Sequence, residues 1–128
     1  MNQEFLITRI DRVILVGKDE YNEQVTSFTH TLDSHELIFH FSGQSIITFN
    51  GKKLEVSENT IRFLPKGENR EYIVDRKENG DCIDIFFDTD CPISEEAFVL
   101  RPEKSAAIGS LFKTIFSVWI SRIDGYYF

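Results

Sequence analysis

Titratable side chains fall at alternating positions in the strand-like segments of this sequence. In HELIFHFS, Glu36 and His40 lie on the same face if the segment is a β-strand, because side chains alternate across a strand. In REYIV, Arg70 and Tyr72 share a face for the same reason. Carboxylate, imidazole, guanidinium and phenol groups suit either a metal site or a pocket for a polar small molecule.

The segment CIDIFFD offers two alternating faces. One face holds Cys82, Asp84 and Phe86, and the other is wholly apolar: Ile83, Ile85 and Phe87. Either set could face inward. The apolar set suits packing beneath a helix, so we expect Asp84 to lie in the pocket.

The spacing of the residues gives little support to a zinc site or to a hydrolase triad. A zinc site could be assembled from His30, Glu36, His40 and Cys82, but no C-x2-C or H-x3-H spacing supports it. A hydrolase triad could be drawn from the many serines, but the G-x-S-x-G nucleophile elbow is missing from the sequence. A binding pocket is therefore favoured over either of these catalytic sites.

Length and composition indicate one globular domain. The chain has 128 residues, 41% of them hydrophobic, including twelve phenylalanines, which is enough for one hydrophobic core. The net charge of −7 offers no basic surface for phosphates, so we expect this chain alone not to bind duplex DNA. No apolar run or signal-peptide pattern predicts a membrane protein, and a cytoplasmic location would keep Cys82 and Cys91 as free thiols.

Short apolar segments separated by polar turns predict an antiparallel β domain over residues 1–100. The Asn50-Gly51 pair predicts a two-residue hairpin, because both positions of a type I′ turn need positive φ. The predicted strands are 12–17, 24–32, 36–42, 45–50, 53–56, 60–65, 70–75 and 82–88.

Residues 101–128 change to a helical pattern, with a helix predicted from about Pro102 to Arg122. We expect one helix face to cover the β domain, formed by Ile108, Leu111, Ile115, Val118 and Trp119. The surplus apolar residues are then available to a second subunit, and these are Phe112, Phe116 and Ile120. The aromatic end GYYF leads us to expect that the protein continues beyond residue 128.

Two cupin motifs can be placed on the sequence. In the first, G-x5-H-x-H-x3-E-x6-G, the positions are occupied by Gln24, His30, Leu32, Glu36 and Gly43. In the second, G-x5-P-x-G-x2-H-x3-N, they are occupied by Asn59, Pro65, Gly67, Arg70 and Val74. The order of HELIFHFSG, the N-G-K hairpin, F-L-P-x-G, FFDTD and LFKTIFSVW resembles the sensor domain of AraC-type bacterial transcription regulators over about residues 28–128.

This resemblance implies a cupin or jelly-roll β-barrel followed by a C-terminal α-helix. In metal-binding cupins, the histidines and glutamate of these motifs surround one divalent ion. Here Leu32 and Arg70 replace two of those ligands, and a guanidinium cannot donate a lone pair to a metal. We therefore expect no metal, no cofactor and no catalysis at this site.

The resemblance implies an effector pocket, and six residues are assigned to it: His30, Glu36, His40, Arg70, Tyr72 and Asp84. Simpler interpretations stay open for some of them. For His40 the favoured interpretation is a hydrogen-bonded interior or surface histidine, and Arg70 could instead form a solvated ion pair with Glu68 or Glu71. We expect His35, next to Glu36, to point away from the pocket and lie at the surface.

The function implied by the resemblance is ligand sensing and dimerisation in an AraC-type regulator. The effector would be a small polar molecule, with a sugar as one option, and DNA would be bound only through a region beyond residue 128. The alternatives are a stand-alone cupin enzyme, such as an isomerase or dioxygenase, and a cupin that binds a small molecule without regulating transcription.

Overall fold

The computed structural model of the protein describes residues 6–20 and 24–123, and for residues 26–31, 69 and 123 it describes the backbone alone. Within these residues the chain forms antiparallel strands, one short 3-10 helix and one α-helix. The strands are β1 (Ile7–Val16), β2 (Val25–Leu32), β3 (His35–His40), β4 (Gln44–Phe49), β5 (Lys52–Val56), β6 (Thr60–Leu64), β7 (Gly67–Glu78), β8 (Cys82–Thr89) and β9 (Phe98–Leu100). The 3-10 helix is Lys18–Glu20, and the α-helix, α1, is Ser105–Ile123.

The strands form two sheets that pack face to face. The first sheet has the order β1-β8-β3-β6-β9, and the second has the order β2-β7-β4-β5. This arrangement is a jelly-roll-like β-sandwich followed by one helix, so the predicted fold class is confirmed. No helix among the described residues is long and apolar enough to span a membrane.

The hairpin between β4 and β5 has the predicted two-residue turn. Asn50 and Gly51 have φ values of 47° and 85°, and the flanking residues Phe49 and Lys52 are paired across the strands. Asn and Gly tolerate this left-handed backbone better than other residues, so the local sequence determines the register of this hairpin.

The first sheet is covered on both faces. Its inner face meets the second sheet across a core of Ile47, Phe49, Val56, Leu64, Tyr72, Val74 and Ala97. Its outer face forms a second core with α1, made of Val13, Phe39, Phe63, Ile83, Ile85, Phe87 and Phe112. As predicted, the apolar face of CIDIFFD lies on the helix side, which leaves Asp84 on the inner face.

The helix covers the sheet with a face that shares Ile108 and Trp119 with the predicted one and differs from it in the other residues. Ile108, Phe112, Phe116 and Trp119 pack on the first sheet. Three residues of the predicted covering face are exposed instead, namely Leu111 (57%), Ile115 (37%) and Val118 (52%). Both helix faces are apolar, so hydrophobic periodicity alone did not decide between them.

A glycine and the aromatic rings explain the choice of face. A Cβ at Gly109 would lie 3.1 Å from the ring of Phe39 and 3.2 Å from that of Phe41, so the helix backbone approaches the sheet closely at this point. The Phe112 ring lies 5.5 Å from the Phe39 ring. Burying these large rings stabilises the fold more than burying the aliphatic face would.

The residues assigned to a second subunit are therefore corrected. Phe112 is only 5% exposed and belongs to the core of this chain, and Phe116 is packed against that core. Ile120 is 39% exposed and remains available to a partner. The exposed residues Leu111, Ile115 and Val118 follow one another at helical spacing on one side of α1, and we call them the aliphatic stripe, whereas Ile120 lies on a different side of the helix.

His35 points away from the inner face, as predicted, but the expectation that it lies at the surface is wrong. It is 3% exposed, with its ring 5.6 Å from that of Phe63 and 5.5 Å from that of Phe87. Its Nδ1 accepts a hydrogen bond of 3.0 Å from the backbone N–H of Lys66. The outer face of this strand is covered, which alternation alone could not reveal.

We expect Phe112→Ala to lower the free energy of unfolding by about 3–5 kcal/mol, because it removes a buried ring from the core beneath the helix. Leu111→Ala is the matched control, and at protein concentrations low enough to keep the chain monomeric its cost should be within about 0.5 kcal/mol, because Leu111 is exposed within one chain. Urea denaturation of the two variants measures this difference. Equal losses would contradict the assignment of the two helix faces.

Candidate functional site

A cavity of about 200 Å³ lies between the two sheets, beside the turns that join β3 to β4 and β7 to β8. The first sheet contributes polar side chains to its wall from β3, β6 and β8. The second sheet contributes Val56 from β5 and Tyr72, Val74 and Arg76 from β7. The cavity therefore has a mostly polar wall on one side and a mixed wall on the other.

Strand register brings the polar residues of the first sheet together. Ile38 of β3 pairs with Arg62 of β6 on one side and with Asp84 of β8 on the other. Glu36 and His40 lie two residues before and after Ile38 and so share its face. Four polar side chains thus surround one buried isoleucine on the inner face of the sheet.

Arg62 is the buried cation of the cavity. It is 8% exposed, and its Nη1 donates a hydrogen bond of 2.6 Å to the Tyr72 hydroxyl on the opposite sheet. Burial, the largest single effect, opposes its charge, but the groups around it act in the other direction, chiefly the Tyr72 hydroxyl and the carboxyl groups of Asp84 and Glu36, and the pKa of Arg62 is raised. The guanidinium therefore stays charged inside the sandwich.

Asp84 and Glu36 form a carboxyl pair beside this arginine. Burial is the largest cause that raises the pKa of Asp84 well above its usual 3.8. The charge of Glu36 and a hydrogen bond between the two side chains raise it further, while Arg62 and Arg12 act in the opposite direction. Asp84 therefore holds its proton more strongly than an exposed aspartate does.

Burial also shifts the other titratable groups of the cavity. It lowers the pKa of His40 well below 6.5, with the nearby charge of Arg62 adding to the effect, so the imidazole is neutral at neutral pH. Burial raises the pKa of Tyr72 to about 12, partly opposed by Arg62. Tyr72 thus keeps its proton and remains a hydrogen-bond donor.

Three buried polar atoms in side chains that line the cavity have no hydrogen-bond partner among the residues that the structure describes: His40 Nε2, Arg62 Nε and Asp84 Oδ1. An unpaired buried polar group costs about 1–3 kcal/mol. Buried polar atoms in folded proteins are usually paired, so such a concentration in one cavity suggests a site that a ligand completes.

The structure brings four of the predicted pocket residues to this cavity, namely Glu36, His40, Tyr72 and Asp84. The backbone of His30 pairs with Arg70 in β2 and β7, but the side chain of His30 lies outside the part of the chain that the structure describes. Whether these residues bind an effector stays a prediction.

Arg70 does not line the cavity, and its predicted position there is corrected. Its Nη2 donates a 2.8 Å hydrogen bond to the carbonyl of Lys66, and its guanidinium lies 5.8 Å from the ring of Phe49. A Cβ at Gly67, whose φ is 154°, would overlap this guanidinium. Arg70 therefore packs over the PKG turn and stabilises it.

Sequence reasoning missed Arg62, the cation that does line the cavity. The segment TIRFL places Arg62 between Thr60 and Leu64 on one face, with Ile61 and Phe63 on the other. A single charge in an apolar strand with period-two alternation was the available signal. The motif alignment drew attention to Arg70 instead.

No group of three or more His, Cys, Asp or Glu side chains in the described ranges is placed to hold a metal ion. The polar groups of the cavity can bind a molecule through hydrogen bonds, with Arg62 as a charged donor and the carboxyl pair as acceptor and donor.

No family model and no curated protein matches this chain. Among solved structures, it is similar to ToxT from Vibrio cholerae, with a TM-score of 0.53 and 10% identity over 94% of this chain and 55% of ToxT. It is also similar to ToxT of strain SCE256 bound to an unsaturated fatty acid, with a TM-score of 0.55 and 9% identity over 92% of this chain and 47% of that one.

A third ToxT structure, bound to (E)-4-(8-methylnaphthalen-1-yl)but-3-enoic acid, gives a TM-score of 0.50 and 8% identity over 91% of this chain and 50% of that one. At such identities the likeness is one of fold. The chain spans about half the length of the ToxT structures it matches.

We expect the stability of Asp84→Asn, compared with that of the parent, to depend on pH. The raised pKa of Asp84 means that its contribution to stability is present below the ordinary aspartate pKa of 3.8 and is lost as pH rises through the folded-state value. Asparagine does not titrate, so the advantage of the variant over the parent should grow with pH. Thermal unfolding across this range measures the difference.

Asp75→Asn is the matched control, because the pKa of exposed Asp75 is lowered by hydrogen bonds from Lys77 and Gln24. Asp75→Asn should remove a contribution to stability that is present above the ordinary aspartate pKa. The stability of this variant relative to the parent should therefore fall as pH rises. An Asp84→Asn variant that loses stability as pH rises, relative to the parent, would contradict a raised pKa for Asp84.

Proposed function

We propose that this chain is the ligand-sensing and dimerising domain of an AraC-type transcription regulator, with a cupin-like cavity that binds a small polar effector. The observation that carries the proposal is the cavity between the sheets, with three polar atoms that have no partner within the described part of the chain. The fold likeness to ToxT, an AraC-family regulator, supports the regulatory role over a catalytic one.

In this proposal the chain works in the cytoplasm and contacts DNA only through another part of the protein. The net charge of −7 opposes binding to phosphates by the chain itself. An effector would regulate through linkage, because it shifts the protein between two arrangements only by its different affinity for each.

We also propose that two copies of the chain pair through the aliphatic stripe. The spacing of Leu111, Ile115 and Val118 gives one continuous apolar line along α1. The helix cations are turned to rings of the same chain: Lys113 Nζ lies 5.0 Å from the Phe41 ring and the Arg122 guanidinium 4.4 Å from the Trp119 ring. In a symmetric dimer, the stripe of one copy would therefore pack against the uncharged stripe of the other copy.

To test ligand sensing, a panel of neutral, acidic and basic metabolites can be screened for an increase in melting temperature. A ligand at 100 times its dissociation constant stabilises the fold by about 2.7 kcal/mol. Val74→Phe should abolish the increase, because Val74 lines the cavity. Ile73→Phe should preserve it, because Ile73 lies on the opposite face of β7. If no compound in the panel raises the melting temperature of the parent, the proposal that this cavity senses a ligand is rejected.

To test pairing, Ile115→Glu and Val118→Glu can be combined and compared with the parent by sedimentation. We expect a dimer for the parent and a folded monomer for the double variant, because both side chains are exposed within one chain. Ser117→Glu, at an exposed position on a different side of the helix, is the control and should remain dimeric. A parent chain that is monomeric at high concentration would refute pairing through the stripe.

A further inference from the structure

His35 is a buried titratable residue that does not belong to the cavity. It begins β3 on the outer face of the first sheet, where it is 3% exposed. The rings of Phe63 on β6 and Phe87 on β8 lie 5.6 Å and 5.5 Å from its ring. An imidazole enclosed in this way must find its hydrogen-bond partners within the protein.

The hydrogen bonds around the imidazole specify one protonation state. Its Nδ1 accepts a 3.0 Å hydrogen bond from the backbone N–H of Lys66, so Nδ1 carries no hydrogen. Its Nε2 lies 3.4 Å from Thr89 Oγ1, which donates its own hydrogen over 2.6 Å to the carbonyl of Cys91. The Thr89 oxygen is therefore left to accept from Nε2, and His35 is bound on both sides as the neutral Nε2–H tautomer.

The backbone group that His35 binds belongs to the PKG turn, residues 65–67. This turn joins β6 of the first sheet to β7 of the second. Its residue Lys66 donates its N–H to His35, and the carbonyl of Lys66 accepts a 2.8 Å hydrogen bond from Arg70 Nη2. His35 and Arg70 thus fix both polar backbone groups of Lys66 where the chain crosses between the sheets.

A proton on Nδ1 is incompatible with this contact. A protonated Nδ1 and the N–H of Lys66 are both hydrogen-bond donors, so the attraction between them becomes a repulsion. The N–H of Lys66 then loses its acceptor. The imidazole and the turn must therefore separate before His35 can take up the proton.

Two charged side chains act on His35, and they act in opposite directions. Burial is the largest effect and lowers the pKa of His35 below 6.5, and the charge of Lys66 lowers it further. The charge of Asp88 partly offsets these effects. Asp88 is itself neutralised, because its carboxylate lies 2.6 Å from Lys66 Nζ and 3.6 Å from Arg9 Nη2.

The other charged groups on the surrounding elements are turned elsewhere. On β3, β6 and β8 they lie on the inner face of the sheet and line the cavity, namely Glu36, Arg62 and Asp84. On β1 and α1 they are paired with a carboxylate or lie against other rings: Arg9 with Asp11, Arg12 over Phe86, Lys113 over Phe41 and Arg122 over Trp119. Within the described residues, Lys66 and Asp88 are therefore the charges that decide the state of His35.

From these contacts we infer that His35 is an acid-sensitive clasp of the PKG turn, which holds the turn when the imidazole is neutral and releases it when Nδ1 is protonated. The clasp lies on the outer face of the first sheet, so the inference does not depend on a ligand in the cavity. Strand β7, which carries Tyr72 and Val74 in the cavity wall, begins at this turn. The clasp gives the domain a response to mild acid at the junction of its two sheets.

The direction of the pH effect follows from the lowered pKa of His35. Neutral His35 contributes its full stabilisation above the ordinary histidine pKa of 6.5. The contribution is lost as pH falls below 6.5, because the open turn takes up a proton that the closed turn excludes. One proton for each opening event changes the equilibrium constant for opening by at most about tenfold per pH unit.

The test is hydrogen exchange of the Lys66 amide, measured by NMR on the full chain at pH values on both sides of 6.5. Each rate is compared with the rate of an unfolded peptide at the same pH, which gives the protection of the amide. We expect this protection to fall below pH 6.5, by up to about tenfold per pH unit.

His35→Gln keeps an acceptor oxygen and a donor nitrogen but does not titrate. The protection of the Lys66 amide should therefore be constant over this pH range in the variant. A fall in protection that is as steep in His35→Gln as in the parent would show that another group controls the turn.

His40→Gln is the matched control, because burial also lowers the pKa of His40, which lies in the cavity and not at the turn. This variant should keep the pH dependence of the Lys66 amide. Equal loss of the pH dependence in both variants would mean that the turn opens only when the whole fold opens, which would overturn the clasp.

A second measurement on the parent needs no variant and decides the inference if His35→Gln does not fold. The ring signals of His35 should titrate with a midpoint below 6.5, and the Lys66 amide signal should move over the same pH range. A midpoint at or above 6.5, or a Lys66 amide that stays unchanged while His35 titrates, would contradict the inference.

Discussion

The buried charge of Arg62 is the constraint on which the interior of this sandwich depends. Removing an arginine from water costs several kcal/mol unless opposite charges and hydrogen bonds compensate for it. Here the compensation comes from both sheets: Tyr72 on the second sheet accepts a hydrogen bond, and Asp84 and Glu36 on the first supply negative potential. The two sheets are thus joined by a polar link as well as by their apolar core.

The first sheet has two buried faces of different character. Its inner face holds the polar cavity, whereas its outer face is the dry core beneath α1. Strands β3 and β8 lie in the middle of this sheet and must satisfy both environments. The segments ELIFHF and CIDIFFD are therefore apolar at most positions and carry their polar residues on the inner face.

The cavity and the helix are also in physical contact through the turn after β3. Ser42 and Gly43 line the cavity, and the Ser42 hydroxyl accepts a hydrogen bond from the backbone of Asp81. The preceding residue, Phe41, packs beneath the helix, where it contacts Phe39 and lies under Lys113. This turn therefore connects the wall of the cavity with side chains that pack against α1.

The sequence by itself determined the local features of this protein. Alternation placed Glu36, His40 and Asp84 on one side of their strands, and the Asn50-Gly51 pair specified a hairpin through its backbone preference. Composition and segment spacing indicated the antiparallel β fold with a final helix. These features depend on residues near each other in the chain, which is why pattern reasoning found them.

Only the tertiary structure decided between equivalent local patterns. Two apolar helix faces were available, and close approach at Gly109 with burial of Phe112 selected one of them. Two arginines were available, and strand register brought Arg62 to the carboxyl pair while Arg70 packed over its own turn. Both choices depend on contacts between distant segments, and hydrophobic periodicity and motif spacing contain no information about those contacts.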